Sequence, residues 1–437
     1  MSSCNRMKLL CALVIFHQLL AFTSGIHFFE LDKIPYIENL ESKIPHYYGP
    51  EREDKRRSPV ILIPGDGGSR IDAMLDKPEV VHYICDKHTS MFYDIWLNKE
   101  LLVWWIIDCS MDNLRLVYNN ETRTTSNAPG VTLRIPGWGY SEDVEWIDTS
   151  HASVSSYYAN VANALSLNGY HRGISIRGAP YDFRKAPNEN EMFPVKMKKL
   201  VEEAYEINGK TPVTLIAHSM GGPMTLNFLQ RQSQEWKDKY IRRLISIAGA
   251  WGGSVKSMKI YAAGDNLGSY FVSASAIRTM QVTTPSLAWL MPNPLFWKPN
   301  DVLARTKSRT YTVGQLEEFL DDMDLPESKE MYKDVLPIAL NFTPPGVEVH
   351  CLYGSQKDTV ESLEWPSTYD MSGTPTLVYG EGDGTVNLRS LEACKHWIGQ
   401  QKQPVYVREY PGNDHLGILA DLKVLDDIVK IQLKDIR

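Results

Sequence analysis

The sequence predicts an α/β fold with a mostly parallel central sheet, and three observations predict it. Short β-branched apolar runs recur between segments of helical spacing, the pattern of strands buried on both faces. One such run, residues 212–217, meets a serine flanked by small residues and passes directly into helical spacing at Met224, Leu226, Phe228 and Leu229. Beyond that serine, an aspartate in a glycine-dense turn and a late histidine complete the order Ser219, Asp383, His415.

The elements follow in order. Arg6 and Lys8 precede an apolar run over residues 9–22, and Thr23-Ser24-Gly25 offers a small-residue cleavage site. Residues 1–25 therefore read as a secretory signal peptide, with an uncleaved anchor as the alternative. Residues 26–57 are polar, end in a charge cluster and are expected to form a loose arm. The remainder, 58–437, is expected to be one catalytic domain. Residues 59–65 read as a buried strand running into the turn Asp66-Gly67-Gly68. Helical spacing covers 157–167 and 193–207, and a strand is expected over 172–178. The serine strand and its helix come next, then a strand over 241–249, late strands over 349–354 and 375–380, and a weaker one over 405–407. Residues 416–433 read as a closing amphipathic helix. Two stretches, 70–137 and 252–340, break the alternation and are expected to be insertions above the sheet.

Strand, sharp turn and helix around Ala217-His218-Ser219-Met220-Gly221 make a nucleophile elbow, with Ala217 in the place of the usual first glycine. Such a turn presses its flanking residues against neighbouring backbone, so only small side chains fit there. A serine is a poor nucleophile without a base that a third group orients. Asp383 is the candidate acid and His415 the candidate base, in the chain order of α/β-hydrolases. Asp358 and Asp370 are weaker acids because no clear strand delivers them. His396, beside Lys395 and Trp397, reads as a surface helix position. The oxyanion of a tetrahedral intermediate needs backbone donors, and the amides of Met220 and Asp66 are in place to supply them. Ionised, Asp66 would repel that oxyanion; protonated, it could donate, which predicts an acidic optimum. Neutral His415 is needed as the base, so acid also works against the reaction.

Loss of the leader removes Cys4 and Cys11 and leaves Cys85, Cys109, Cys351 and Cys394. Four cysteines allow three connectivities. The local one, Cys85–Cys109 with Cys351–Cys394, is expected, and a free buried pair at Cys351 and Cys394 stays open. Asn120 and Asn341 head glycosylation sequons. Removing Arg6 and Lys8 takes the net charge from −7 to −9. That is no nucleic-acid footprint. Ten histidines remain to offset it in acid.

Taken together, Pro64-Gly65-Asp66, Leu75-Asp76-Lys77-Pro78, Val80-Val81-His82-Tyr83, Arg177-Gly178-Ala179-Pro180-Tyr181-Asp182, the serine elbow, Gly382-Asp383-Gly384-Thr385-Val386-Asn387 and His415 resemble the lecithin:cholesterol acyltransferase family. Asp66 sides with its lysosomal phospholipase A/acyltransferase branch. The resemblance runs from about residue 59 to 433. It implies an α/β-hydrolase fold, a Ser219–Asp383–His415 triad and oxyanion amides from Asp66 and Met220. It further implies a Cys85–Cys109 bridge within a membrane-binding insertion, and a mobile lid after Trp251-Gly252-Gly253. The implied activity is removal of an acyl chain from phosphatidylcholine or phosphatidylethanolamine, passed to water or to a lipophilic alcohol such as ceramide. No metal or other cofactor is implied. The expected partners are phospholipid membranes, the expected state a monomer, and the expected compartment the lysosomal lumen or the cell exterior. A sterol acyltransferase, or a silent lipid-binding member, is the alternative. Two departures stand out. Gly67 replaces a leucine and is expected to loosen the oxyanion loop. Trp104-Trp105, beside Leu101 and Leu102, enlarge the aromatic face expected to meet lipid.

Overall fold

The computed structural model describes residues 57–102, 106–151, 155–266, 273–366, 371 and 373–434. The expected leader, nearly all of the arm, Trp104, Trp105, residues 267–271 of the stretch after Gly253 where a lid is expected, and Asp370 lie outside the described residues.

Six strands form the central sheet: β1 (Val60–Ile63), β2 (Ile176–Gly178), β3 (Val213–His218), β4 (Ile241–Ile247), β5 (Glu348–Ser355) and β6 (Val405–Pro411). Their order is β6-β5-β4-β3-β1-β2, and every neighbouring pair is parallel. This is the α/β-hydrolase arrangement. Every residue of β1 and β3 is buried, as a parallel sheet covered on both faces requires. Edge strand β6 has half-buried and exposed positions, with only Tyr410 buried, which is why its apolar signal is faint.

The helices that cover the sheet follow from apolar spacing. Helix α1 (Ile107–Leu114) lies in the first insertion, and α2 (Ala159–Leu167) precedes β2. Helix α3 (Met192–Ile207) buries Phe193, Met197, Leu200, Val201 and Ala204, one stripe at helical period. Helix α4 (Gly221–Gln230) follows the serine, and α5 (Val255–Ala263) opens the second insertion. Helix α6 (Leu422–Leu433) closes the chain. Two expected elements are shorter than their apolar runs. In 172–178 only Ile176–Gly178 is strand, because the carbonyl of His171 takes the amides of Ile174, Ser175 and Ile176 in a tight turn. The last helix starts late because the carboxylate of Asp421 caps the amides of Lys423 and Val424.

The first insertion holds a three-stranded antiparallel sheet, Tyr93–Trp96, Ile71–Leu75 and Val131–Arg134, and the Cys85–Cys109 disulfide. Ile71, Ala73, Leu75, Ile95, Trp96, Ile107 and Met111 join the same hydrophobic cluster as the central sheet. In the second insertion, Val302–Arg305 pairs with Thr359–Glu364, and that strand pairs with Thr376–Gly380. The strand expected over 375–380 thus exists, but in a second sheet outside the central one. Cys351 on β5 is bonded to Cys394. Among the described residues no helix is long and apolar enough to cross a membrane.

Candidate active site

Three loops at the carboxyl ends of the parallel strands β1, β3 and β6, and one turn from the second sheet, converge on one point, where open α/β sheets bind their ligands. Ser219 follows β3 with φ 55°, the strained left-handed turn of an elbow. A Cβ on Gly221 would lie 2.5 Å from the carbonyl oxygens of Ile63 and Pro64, and one on Gly65 would lie 2.6 Å from Ser219 Cβ. Hydrogen alone fits at both positions. The turn after β1 is thereby pressed against the serine, and α4 starts directly beneath it. Ser219 remains partly exposed.

His415 reaches the serine from the loop after β6. Its Nε2 is 2.9 Å from Ser219 Oγ and its Nδ1 is 2.7 Å from Asp383 Oδ2. A carboxylate only accepts, so Nδ1 carries the proton and the Nε2 lone pair faces the hydroxyl. Asp383 has no exposed surface; its Oδ1 accepts the amides of Thr385 at 3.0 Å and Val386 at 2.8 Å. The main chain adds a second link, from His415 N–H to the Asp383 carbonyl at 2.9 Å. Asp383 comes from the turn after Thr376–Gly380, so the second sheet delivers the acid. Ser254 and Asn387 brace this turn: the Ser254 hydroxyl donates to the Thr385 carbonyl, and Asn387 Oδ1 accepts the Val255 amide at 3.0 Å. The rival groups His396 and Asp358 are both exposed, and the ring hydrogen bonds of His415 go to Ser219 and Asp383 instead.

The loop after β1 is held by buried phenols that sequence spacing did not reveal. Gly65 N–H donates to Tyr157 Oη at 2.9 Å, Tyr158 Oη donates to the Ile63 carbonyl at 2.9 Å, and Tyr181 Oη donates to the Pro64 carbonyl at 3.0 Å. Burial raises all three phenols, so they stay un-ionised. Gly68 N–H closes the turn onto the Gly65 carbonyl at 3.1 Å, and Gly67 at φ 72° takes the position where such a turn requires a positive angle. The Trp96 indole donates to the Gly67 carbonyl at 2.9 Å. Far from loosening the loop as expected, Gly67 lets it close against Trp96, whose ring would lie 3.3 Å from an added Cβ.

Asp66 is exposed, yet protein surrounds it closely enough that desolvation pushes its carboxyl up to about 6. The Lys256 ammonium pulls the value back, Asp265 pushes it further, and the Gly67 amide favours the charged form. The amides of Asp66 and Met220 have no acceptor among the described residues. Donors left free at a helix start beside a serine can take a developing negative charge. No group of three or more His, Cys, Asp or Glu side chains able to hold a metal occurs among the described residues.

Leu101 and Leu102 are half-buried against the core. Among the described residues, the most exposed large apolar side chains of this insertion are Tyr83 (86% exposed), Met91 (74%), Val81 and Ile84, with Ile106 and Val117 exposed to a lesser degree. Asn120 and Asn341 are exposed, and the Asn341 amide oxygen accepts from the Thr343 hydroxyl at 2.8 Å.

The model of the family described as lecithin:cholesterol acyltransferase matches residues 91–342 and 327–425. The chain is 42% identical over 377 residues to the lysosomal phospholipase A and acyltransferase of Bos taurus, covering 86% of this chain and 92% of that one. The Homo sapiens protein of the same name is 42% identical over 378 residues, covering 86% and 91%. The phosphatidylcholine-sterol acyltransferase of Mus musculus is 38% identical over 389 residues, covering 89% and 88%.

Proposed function

The chain belongs to the lecithin:cholesterol acyltransferase family, and from that premise we propose that it is a phospholipid acyl hydrolase and transacylase with Ser219 as nucleophile. The observation that carries the reading is the chain of contacts from Ser219 Oγ through His415 to Asp383, at 2.9 and 2.7 Å. Ser219 Oγ attacks the acyl carbonyl carbon while His415 Nε2 takes its proton. The oxyanion that forms is met by the amides of Asp66 and Met220, and the Asp383 carboxylate stabilises the imidazolium. His415 then gives the proton to the glycerol oxygen, the ester C–O bond breaks, and the lysolipid leaves. Water, or an alcohol such as ceramide, attacks the acyl-enzyme with His415 again taking the proton and returning it to Ser219 Oγ as the acyl–serine bond breaks.

An acidic compartment suits this site. Below about pH 6 the Asp66 carboxyl is neutral beside the forming oxyanion. The names of the close relatives support a lysosomal location. Membrane contact is made by Val81, Tyr83, Ile84 and Met91, with Trp104, Trp105, Leu101 and Leu102 contributing to the same insertion. The protein acts as a monomer, glycosylated at Asn120 and Asn341.

The test is an acid-pH assay on phosphatidylcholine liposomes, with ceramide and cholesterol as competing acceptors and Ser219→Ala as control. Fatty acid and acylated ceramide are expected from the wild type, and neither from the variant. Acyl cholesterol in place of acyl ceramide would move the chain to the sterol-acylating reading. Failure of a fluorophosphonate to label Ser219 would end the reading.

A further inference from the structure

We propose that Tyr157 and His218 are positioning residues: a directional wire of three hydrogen bonds ties the oxyanion loop to the backbone of His415. This rests on the roles given above to Ser219, His415 and the Asp66 amide. Gly65 N–H donates to Tyr157 Oη at 2.9 Å; Tyr157 Oη lies 2.5 Å from His218 Nδ1; His218 Nε2 lies 2.8 Å from the His415 carbonyl oxygen.

The proton positions follow from chemistry. A carbonyl only accepts, so His218 Nε2 carries the hydrogen. His218 is 1% exposed, and burial together with the neighbouring His415 holds its pKa well below 6.5. The ring is therefore neutral, and its one proton is already placed. Nδ1 must accept, so the Tyr157 hydroxyl donates to it. That leaves the phenolic lone pair for Gly65 N–H. Each donor has one acceptor, and reversing the wire would require a carbonyl to donate.

The placement gives the wire its purpose. The loop bearing the Asp66 amide follows β1, whereas His415 follows β6, and β3, β4 and β5 lie between those strands in the sheet. His218 is the last residue of β3, next to Ser219, and its ring packs against both partners, with centroids 5.3 Å from Tyr157 and 4.9 Å from His415. The wire thus crosses above the elbow and fixes two loops relative to each other. One carries an oxyanion donor at the residue after Gly65, and the other carries the base. Neither side chain reaches the reacting atoms.

Tyr157→Phe removes the shared hydroxyl while keeping the ring. Measured on the full secreted chain with a soluble ester, well below the variant's melting temperature, it should lower kcat by about 10- to 100-fold, with KM within about twofold. Affinity for an alkylboronic acid, whose adduct with Ser219 places an anionic oxygen among the same donors, should fall by a similar factor. His218→Gln keeps an N–H near the Nε2 position and should retain more activity than His218→Leu. The Tyr157→Phe/His218→Gln double variant should be no worse than the poorer single one by more than about threefold, because one cut already opens the wire. A purely structural pair would lower the melting temperature while leaving kcat of the folded fraction and boronate affinity unchanged; that pattern in Tyr157→Phe or, should that variant not fold, in His218→Leu overturns the proposal, as does a double variant whose losses multiply those of the two singles. An active wild type beside an unimpaired Tyr157→Phe removes the wire alone. An inactive wild type removes the acyl-transfer reading first.

Discussion

Asp66→Asn isolates one charge next to the reacting centre. In the wild type, desolvation places the Asp66 carboxyl at about 6. At pH 5 about 90% of it is neutral, and at pH 7 about 10%. If only the neutral form tolerates an oxyanion at the adjacent amide, kcat/KM falls about tenfold over those two units from this group alone. Asparagine has nearly the same shape and no charge at any pH, so the fall should shrink to within about twofold. The acid limb of the profile should persist in both proteins. The assay is kcat/KM for a soluble short-chain ester from pH 4 to 8, which keeps vesicle binding out of the profile. Lys256→Met adds a signed check: removing the ammonium that stabilises the Asp66 carboxylate should move the alkaline limb to higher pH. Superimposable alkaline limbs in wild type and Asp66→Asn would refute the reasoning, because the decline would then belong to another group.

Two further outcomes follow from contacts described above. Gly221→Ala places a Cβ 2.5 Å from two backbone oxygens that cannot rotate away, so it should destabilise by about 1–3 kcal/mol and lower the melting temperature in calorimetry; an unchanged melt would mean that β1 and the elbow are looser than this packing. Replacing Tyr83 and Met91 together with serine should weaken vesicle association more than tenfold in a sedimentation assay, since each side chain offers about 1.5–3 kcal/mol of burial in lipid, while soluble-ester turnover stays within about twofold. Equal loss of both readouts would place the lipid-facing surface elsewhere.

What could be read from the chain was local. Ser219 is announced by the residues on either side of it, because an elbow is made by a strand, one strained residue and a helix in sequence. Asp383 was legible as a polar residue in a turn too rich in glycine to be anything but tight. The phenols around the Gly65 loop were not legible. Tyr157, Tyr158 and Tyr181 lie about a hundred residues from Gly65, and aromatic residues near helix and strand ends look alike in sequence whether they fill space or donate a hydrogen bond. Gly67 was misjudged for a related reason. Alone it suggests slack, and only the Trp96 indole, brought across by the first insertion's sheet, turns it into a close contact. In that insertion, apolar runs holding buried Ile95 and exposed Met91 have the same composition, and pairing rather than pattern sorts them.

The double link between Asp383 and His415 has a consequence for how this enzyme can open. Side chain and main chain together make a ring between the two residues, so acid and base travel as a single rigid jaw. Ser219, rooted in the central sheet, is the opposing jaw. On the proposed mechanism, an opening that admits a bulky acceptor would have to part serine from imidazole and stretch the His218 Nε2–His415 carbonyl hydrogen bond as well, while the carboxylate's double hold on His415 stays intact. The pair would return from such an excursion already aligned, with the contacts to Ser219 and His218 left to re-form.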